Sequence, residues 1–221
     1  MDFTREPIRH NHHHSTRGPI IRRLSTVDAL PVPLDALRLD LRIDDDDDGS
    51  TLERMEQAAA DMIERRSGKV LLPGTFEALF DTFAALKVIR APLRQVTELA
   101  ILTDKNTWTA QDLDDFRIIT GENDFEVGAY PGWTCPTVFM AERSIRIQYR
   151  AGYNIPPESG GSDGDELVSG DDDVAMPPLY RGVLIALTGH FYENREIFAA
   201  DKLTEIESTA GGILNAIRTF W

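Results

Sequence analysis

The chain has 221 residues, 42% of them apolar, and a formal net charge of −14 at pH 7. That length is enough to bury a full core as one domain, or as one domain with an insertion. Its one cysteine, Cys135, excludes an internal disulfide framework, and no apolar run is long enough to span a membrane.

The charge is unevenly placed. Residues 1–30 carry five arginines and three acids, with His10, His12, His13 and His14; residues 31–221 carry 18 basic and 34 acidic groups, a net −16. An acidic body lacks the Lys and Arg that a nucleic-acid surface needs. It suits a wall past which DNA moves without sticking. The first residues contain no signal-peptide apolar core, so a cytosolic chain is expected. Residues 1–28 are polar, contain Gly18-Pro19 and lack periodicity, which predicts a flexible N-terminal arm.

Pro33 opens a short helix over residues 34–42, with Leu34, Leu37 and Leu41 on one face. The acidic run 44–48 and Gly49 turn the chain. Ser50 and Glu53 have the spacing of a capping box for a second helix over residues 50–67. Its apolar stripe is Leu52, Met55, Ala59, Met62 and Ile63, and Gly68 stops it. Residues 72–153 switch to period two. Strands are predicted at 75–80, 87–90, 96–102, 116–119 and 144–149, forming an antiparallel sheet.

Residues 158–173 are Gly, Ser and acids, which predicts a solvated acidic loop. Pro177 and Pro178 begin a third helix over residues 177–195. Leu179, Val183, Leu184, Ala186, Leu187 and Phe191 recur there at helical spacing, and the apolar middle predicts a central position. A fourth helix is predicted over residues 204–220, with Gly211-Gly212 as a joint; each Gly costs ~1 kcal/mol against Ala in a helix interior. The order predicts an α+β fold. Residues 29–221 would form a four-helix bundle with an inserted antiparallel β region.

No set of residues meets the requirements of a catalytic or metal site. Asp44, Asp46, Asp48 and Gly49 match the first half of an EF-hand loop, but its twelfth position is Met55, on an apolar face. A solvated acidic turn is the better reading, and a cation-binding module the weaker alternative. The four N-terminal histidines have no carboxylate or thiol framework. His190 lies close in sequence to Tyr192, Glu193 and Arg195, with no nucleophile motif or Gly-rich phosphate loop in the chain. These four residues are expected to form a polar cluster at a helix end or between subunits. A hydrolase using His190 is the discarded rival. Trp108 and Trp133 are expected to be core or interface anchors, and Cys135 a packed residue.

Several segments together resemble the head–tail connector (adaptor) family of tailed phages and gene-transfer-agent-like particles. They are Pro31-Val-Pro-Leu-Asp-Ala-Leu-Arg-Leu-Asp-Leu-Arg42, Ala58-Ala-Ala-Asp-Met-Ile-Glu-Arg-Arg-Ser-Gly68 and Leu72-Pro-Gly-Thr-Phe76. Ile89-Arg-Ala-Pro-Leu-Arg-Gln-Val-Thr97, Asp115-Phe-Arg-Ile118, the Ala151-Gly-Tyr153 turn and His190-Phe-Tyr-Glu-Asn-Arg-Glu196 follow in the family's order. Pro33 in place of a Ser or Thr cap, the long N-terminal arm and the expanded acidic loop depart from its pattern.

The resemblance implies a structural virion protein without enzymatic activity or cofactor, assembled in the host cytoplasm and placed in the virion neck. It implies a dodecameric ring of copies that joins the capsid portal protein to a stopper or tail terminator and extends the channel for double-stranded DNA. Another neck or tail-completion protein is the alternative. The family's C-terminal segment engages the portal, which maps onto Ile213, Leu214, Ile217, Phe220 and Trp221. Asp44, Asp46, Asp48, Asp163 and Asp165 are the channel-lining candidates.

Overall fold

The period-two pattern is clearest in the strand Ile145–Ala151, where Ile145, Ile147, Tyr149 and Ala151 are buried and the residues between them half-buried. In the computed structural model this strand, β8, is the centre of a five-stranded antiparallel sheet ordered β1-β2-β8-β4-β5. Its partners are β2 (Gly74–Phe80) and β4 (Leu93–Asp104), with Phe76 and Val96 both registered on Tyr149. β1 (Ile20–Thr26) and β5 (Thr107–Ala110) are the outer strands. A three-stranded antiparallel sheet ordered β3-β7-β6 is built from β3 (Leu86–Val88), β6 (Phe116–Thr120) and β7 (Phe125–Ala129). The structure describes residues 18–43, 48–83, 86–136, 142–154, 174–195, 211–215 and 217.

The two sheets share one apolar core. Phe125 of β7 meets the Tyr149 ring edge-on with centroids 5.0 Å apart, and Phe76 stacks on Tyr149 at 5.5 Å. Burial pushes the Tyr149 hydroxyl far up from its usual pKa, and its oxygen has no hydrogen-bond partner among the described residues. A buried unpaired hydroxyl costs about 1–3 kcal/mol. Tyr149→Phe is therefore expected to leave stability unchanged or to raise it by about 1 kcal/mol in urea unfolding.

A second core lies among the helices α1 (Leu34–Leu41), α2 (Gly49–Ser67) and α3 (Pro178–Glu193). Leu37, Leu52, Met55, Ile63, Leu184, Leu187 and Phe191 fill it. α1 approaches α3 closely at Gly189, where a Cβ would lie 2.7 Å from Leu41 Cδ2. Gly152, at φ +122°, closes the turn after β8; a Cβ there would meet the Leu72 carbonyl oxygen at 2.5 Å. α4 (Gly211–Asn215) is a short helical segment beside α3.

The expected four-helix bundle is not formed. The fold is β-rich: two antiparallel sheets with a core of their own, flanked by three longer helices. Two features overturn the bundle. The β region makes a complete hydrophobic core rather than an appendage, and residues 20–26, assigned to the flexible arm, pair along β2 as β1. Of the expected fourth helix, the described residues hold Gly211–Asn215; residues 204–210, 216 and 218–220 lie outside them. The Ser50–Glu53 capping box is also absent: α2 begins at Gly49 behind Asp48, whose side chain makes no capping bond. Gly68 does stop α2, in the left-handed conformation with φ 69°.

Candidate functional site

The polar end of α3 brings together residues from distant parts of the sequence. Phe191 points into the helical core and is 1% exposed. The neighbouring Tyr192 therefore projects sideways, and its hydroxyl donates to Asp48 Oδ2 at 2.5 Å. Arg195 Nη1 donates to the same oxygen at 3.4 Å, with its guanidinium 4.9 Å from the centre of the Tyr192 ring. Asn194 Nδ2 donates to the His190 carbonyl at 2.8 Å, satisfying one of the acceptors that a helix C-terminus leaves open. The same amide lies 3.3 Å from His190 Nδ1. Glu193 is exposed.

Asp48, one of the channel-lining candidates, is bonded to Tyr192 and Arg195. Asp44, Asp46, Asp163 and Asp165 lie outside the described residues, as do His10, His12, His13 and His14. Met55, at the twelfth position of the half-motif, is buried in the helical core. Leu214 and Ile217 are 3% and 4% exposed and pack with α2 and α3 residues in that core. Ile213 lies in α4, while Phe220 and Trp221 fall outside the described residues. Cys135, expected to pack, is exposed. Trp133 packs with Phe83 and Phe116 at 5.0 Å each, and Trp108 lies 4.7 Å from the Arg146 guanidinium.

Two carboxylates escaped the sequence reading. Glu56 is fully buried on the inner face of α2; its Oε1 accepts the Val32 N–H at 2.8 Å, and its Oε2 has no partner among the described residues. Burial raises its pKa to about 7, with the Val32 bond opposing and Glu53 reinforcing the shift. The signal was its spacing: Glu56 is four residues after Leu52 and seven before Ile63, on the apolar stripe itself. Glu64 joins helix to sheet. It accepts from Arg23 Nη2 of β1 at 2.6 Å and from the Leu71 N–H at 2.8 Å.

Among the described residues no group of three or more His, Cys, Asp or Glu is placed to hold a metal ion, and no helix is long and apolar enough to cross a membrane. A shallow cleft lined by Ser25, Val27, Pro73, Thr75, Arg94 and Arg150 encloses room for about one water molecule, far short of a small-molecule pocket. The arrangement holds structural elements together through charge-assisted bonds.

No family model matches the chain, and no curated protein matches it. Solved structures do. A chain in the neck of an empty gene transfer agent particle, computed with six-fold symmetry, superposes with a TM-score of 0.61 at 20% identity, over 79% of this chain and 84% of that one. A chain in the virion of a native gene transfer agent particle superposes with a TM-score of 0.59 at 19% identity, over the same shares of the two chains. At these identities the likeness establishes a shared fold.

Proposed function

We propose that this chain is a non-enzymatic structural protein of the neck of a phage-like particle. It forms a ring that joins the portal protein to the stopper or tail terminator, with double-stranded DNA passing through the lumen. The observation that carries the reading is the fold shared over 79% of the chain with a gene transfer agent neck component. The connector-like segments, from Pro31-Val-Pro33 to the polar end of α3, support it independently. A ring requires a heterologous contact between unlike faces of successive copies. Asp48, held by Tyr192 and Arg195, ties the start of α2 to the end of α3. Phe220 and Trp221, with Ile213, are the proposed portal contacts. The acidic segments containing Asp44, Asp46, Asp163 and Asp165 are the proposed channel lining. Cryo-electron microscopy of particles carrying a tagged copy tests this directly. The tag is expected as a ring of density directly beneath the portal; density in the capsid shell or the distal tail overturns the reading.

Duplex DNA is expected to pass such a ring without adhering to it. The body carries −16, and like charge opposes condensation of a polyanion onto it. The full chain with Arg5, Arg9 and Arg17 changed to Gln is expected to bind duplex DNA more weakly than ~10⁻⁴ M at physiological salt. Tight, salt-sensitive binding in a filter or anisotropy assay excludes a non-adhesive wall.

A further inference from the structure

The geometry points to the outer edge of β6 as a docking site for an extended, basic strand of a neighbouring protein. Such a strand would add to the three-stranded sheet by main-chain pairing. The inference stands on sheet geometry and is independent of the neck reading.

Each sheet has two edges, and three of these four edge strands are blunted in the ways proteins use against edge pairing. β1 follows Pro19, carries Arg22 and Arg23, and has a register break between Arg23 and Ser25. β5 has only four residues and lies beside a register break between Leu102 and Asp104. β3 has three residues and carries Lys87. β6 has five residues, unbroken register and no Pro; it carries a single charge, Arg117, and exposes the adjacent Ile118 and Ile119 at 39% and 43%.

Its hydrogen-bonding direction follows from its two ends. The Tyr130 N–H donates to the Asp115 carbonyl at 2.9 Å, and the Gly121 N–H to the Asp124 carbonyl at 2.8 Å. In an antiparallel pair, bonded and non-bonded residues alternate. Arg117 and Ile119 therefore exchange bonds with Gly128 and Glu126, and Ile118 and Thr120 turn N–H and C=O outward; the Phe116 N–H, at the start of the strand, already donates to the Leu113 carbonyl. No strand lies beyond them among the described residues. Phe116 and Val127, on the same face as Ile118, are buried. An apolar residue on an added strand would cover the exposed part of Ile118 and extend that face.

Charge selects the partner. Asp112, Asp114 and Asp115 precede β6, and Glu122, Asp124 and Glu126 follow it. The cations nearby are Arg117, Lys69, which donates to the Glu122 carbonyl, and Lys87, which pairs with Asp124 at 2.7 Å. Lys or Arg alternating with β-branched residues meets both the acidic rim and the apolar face.

The test uses the full chain and three synthetic peptides. The first, Lys-Val-Lys-Ile-Thr-Val-Lys-Thr, is the probe. The second replaces its central Ile with Pro, and the third replaces its Lys residues with Glu. The amides of Ile118 and Thr120, read by NMR hydrogen exchange, are expected to slow about tenfold or more with the first peptide alone. Ile118→Pro removes an outward N–H and spares the β6–β7 bonds, so it is expected to abolish the effect while circular dichroism is retained. If that variant unfolds, Ile118→Asp is read in its place and is expected to abolish the effect as well. Equal protection by the Pro peptide reveals mere charge attraction and overturns the proposal. It is overturned too by protection at β1 or β5, by no protection at all, by an effect that persists in the edge variant, or by an edge already protected through pairing of two copies.

Discussion

The double substitution Leu214→Ala, Ile217→Ala is expected to lower unfolding stability by about 4–8 kcal/mol, as the sum of two large-to-small core changes. Both side chains are at most 4% exposed and belong to the cluster that contains Leu184, Leu187 and Phe191. Truncation removes their transfer free energy and leaves a cavity against α3, which is held by its packing on α2 and collapses only partly into the space. The expected loss is comparable with the whole stability of an ordinary domain, about 5–15 kcal/mol. Urea unfolding followed by circular dichroism measures it; a loss below about 1 kcal/mol would show that α4 does not rest on the helical core.

This result bears on the portal contact. Deleting residues 213–221 removes core residues and proposed contact residues together, so a folding defect would mimic lost docking. Phe220→Ala with Trp221→Ala is the cleaner variant. It is expected to leave the unfolding midpoint in place while heads and tails accumulate apart. Normal joining by that variant would move the proposed contact elsewhere.

The stability of the protein is expected to fall between pH 4.5 and pH 8 by about 3 kcal/mol more than that of Glu56→Gln. The Glu56 carboxyl titrates near 7 in the fold against 4.5 as an ordinary side chain, because burial disfavours its charge. A raised folded pKa means that the favourable contribution is complete below about pH 4.5. It is lost as pH rises through about 7, where the buried group must ionise. Glutamine keeps the acceptor for the Val32 N–H and has no charge to bury, so it stands in for the protonated acid at every pH. Other titrating groups act equally in both proteins and cancel in the comparison. Urea unfolding at pH 5, 6, 7 and 8 gives the two profiles, and parallel profiles would show that the carboxylate is stabilised in the fold by a partner.

What the sequence determined by itself was local. α2 and α3 follow from apolar residues at helical spacing, a stop at Gly68 and a start at Pro177-Pro178; the structure gives Gly49–Ser67 and Pro178–Glu193. β2, β4, β6 and β8 lie where β-branched and aromatic residues alternate. β1 was not legible, because six of its seven residues are exposed and no buried face patterns it. It is a strand because β2 offers six of its seven residues backbone partners, and that offer exists only after folding. β5 and β7 are short strands held by a hairpin partner, with no periodic stretch long enough to announce them.

Tertiary structure also decided the architecture and the polar contacts. Helix and strand patterns fix which face each element buries, and they leave open whether a β region packs as an insertion or builds a core of its own. Here the Phe76–Tyr149–Phe125 packing settled that. Asp48 reads locally as a helix-start residue, yet its partner Tyr192 lies 144 positions away, a distance over which no sequence spacing carries information. Glu56 lies on the apolar stripe of α2, but its partner Val32 is 24 positions away, and only the fold brings the Val32 N–H to a carboxyl whose burial raises its pKa.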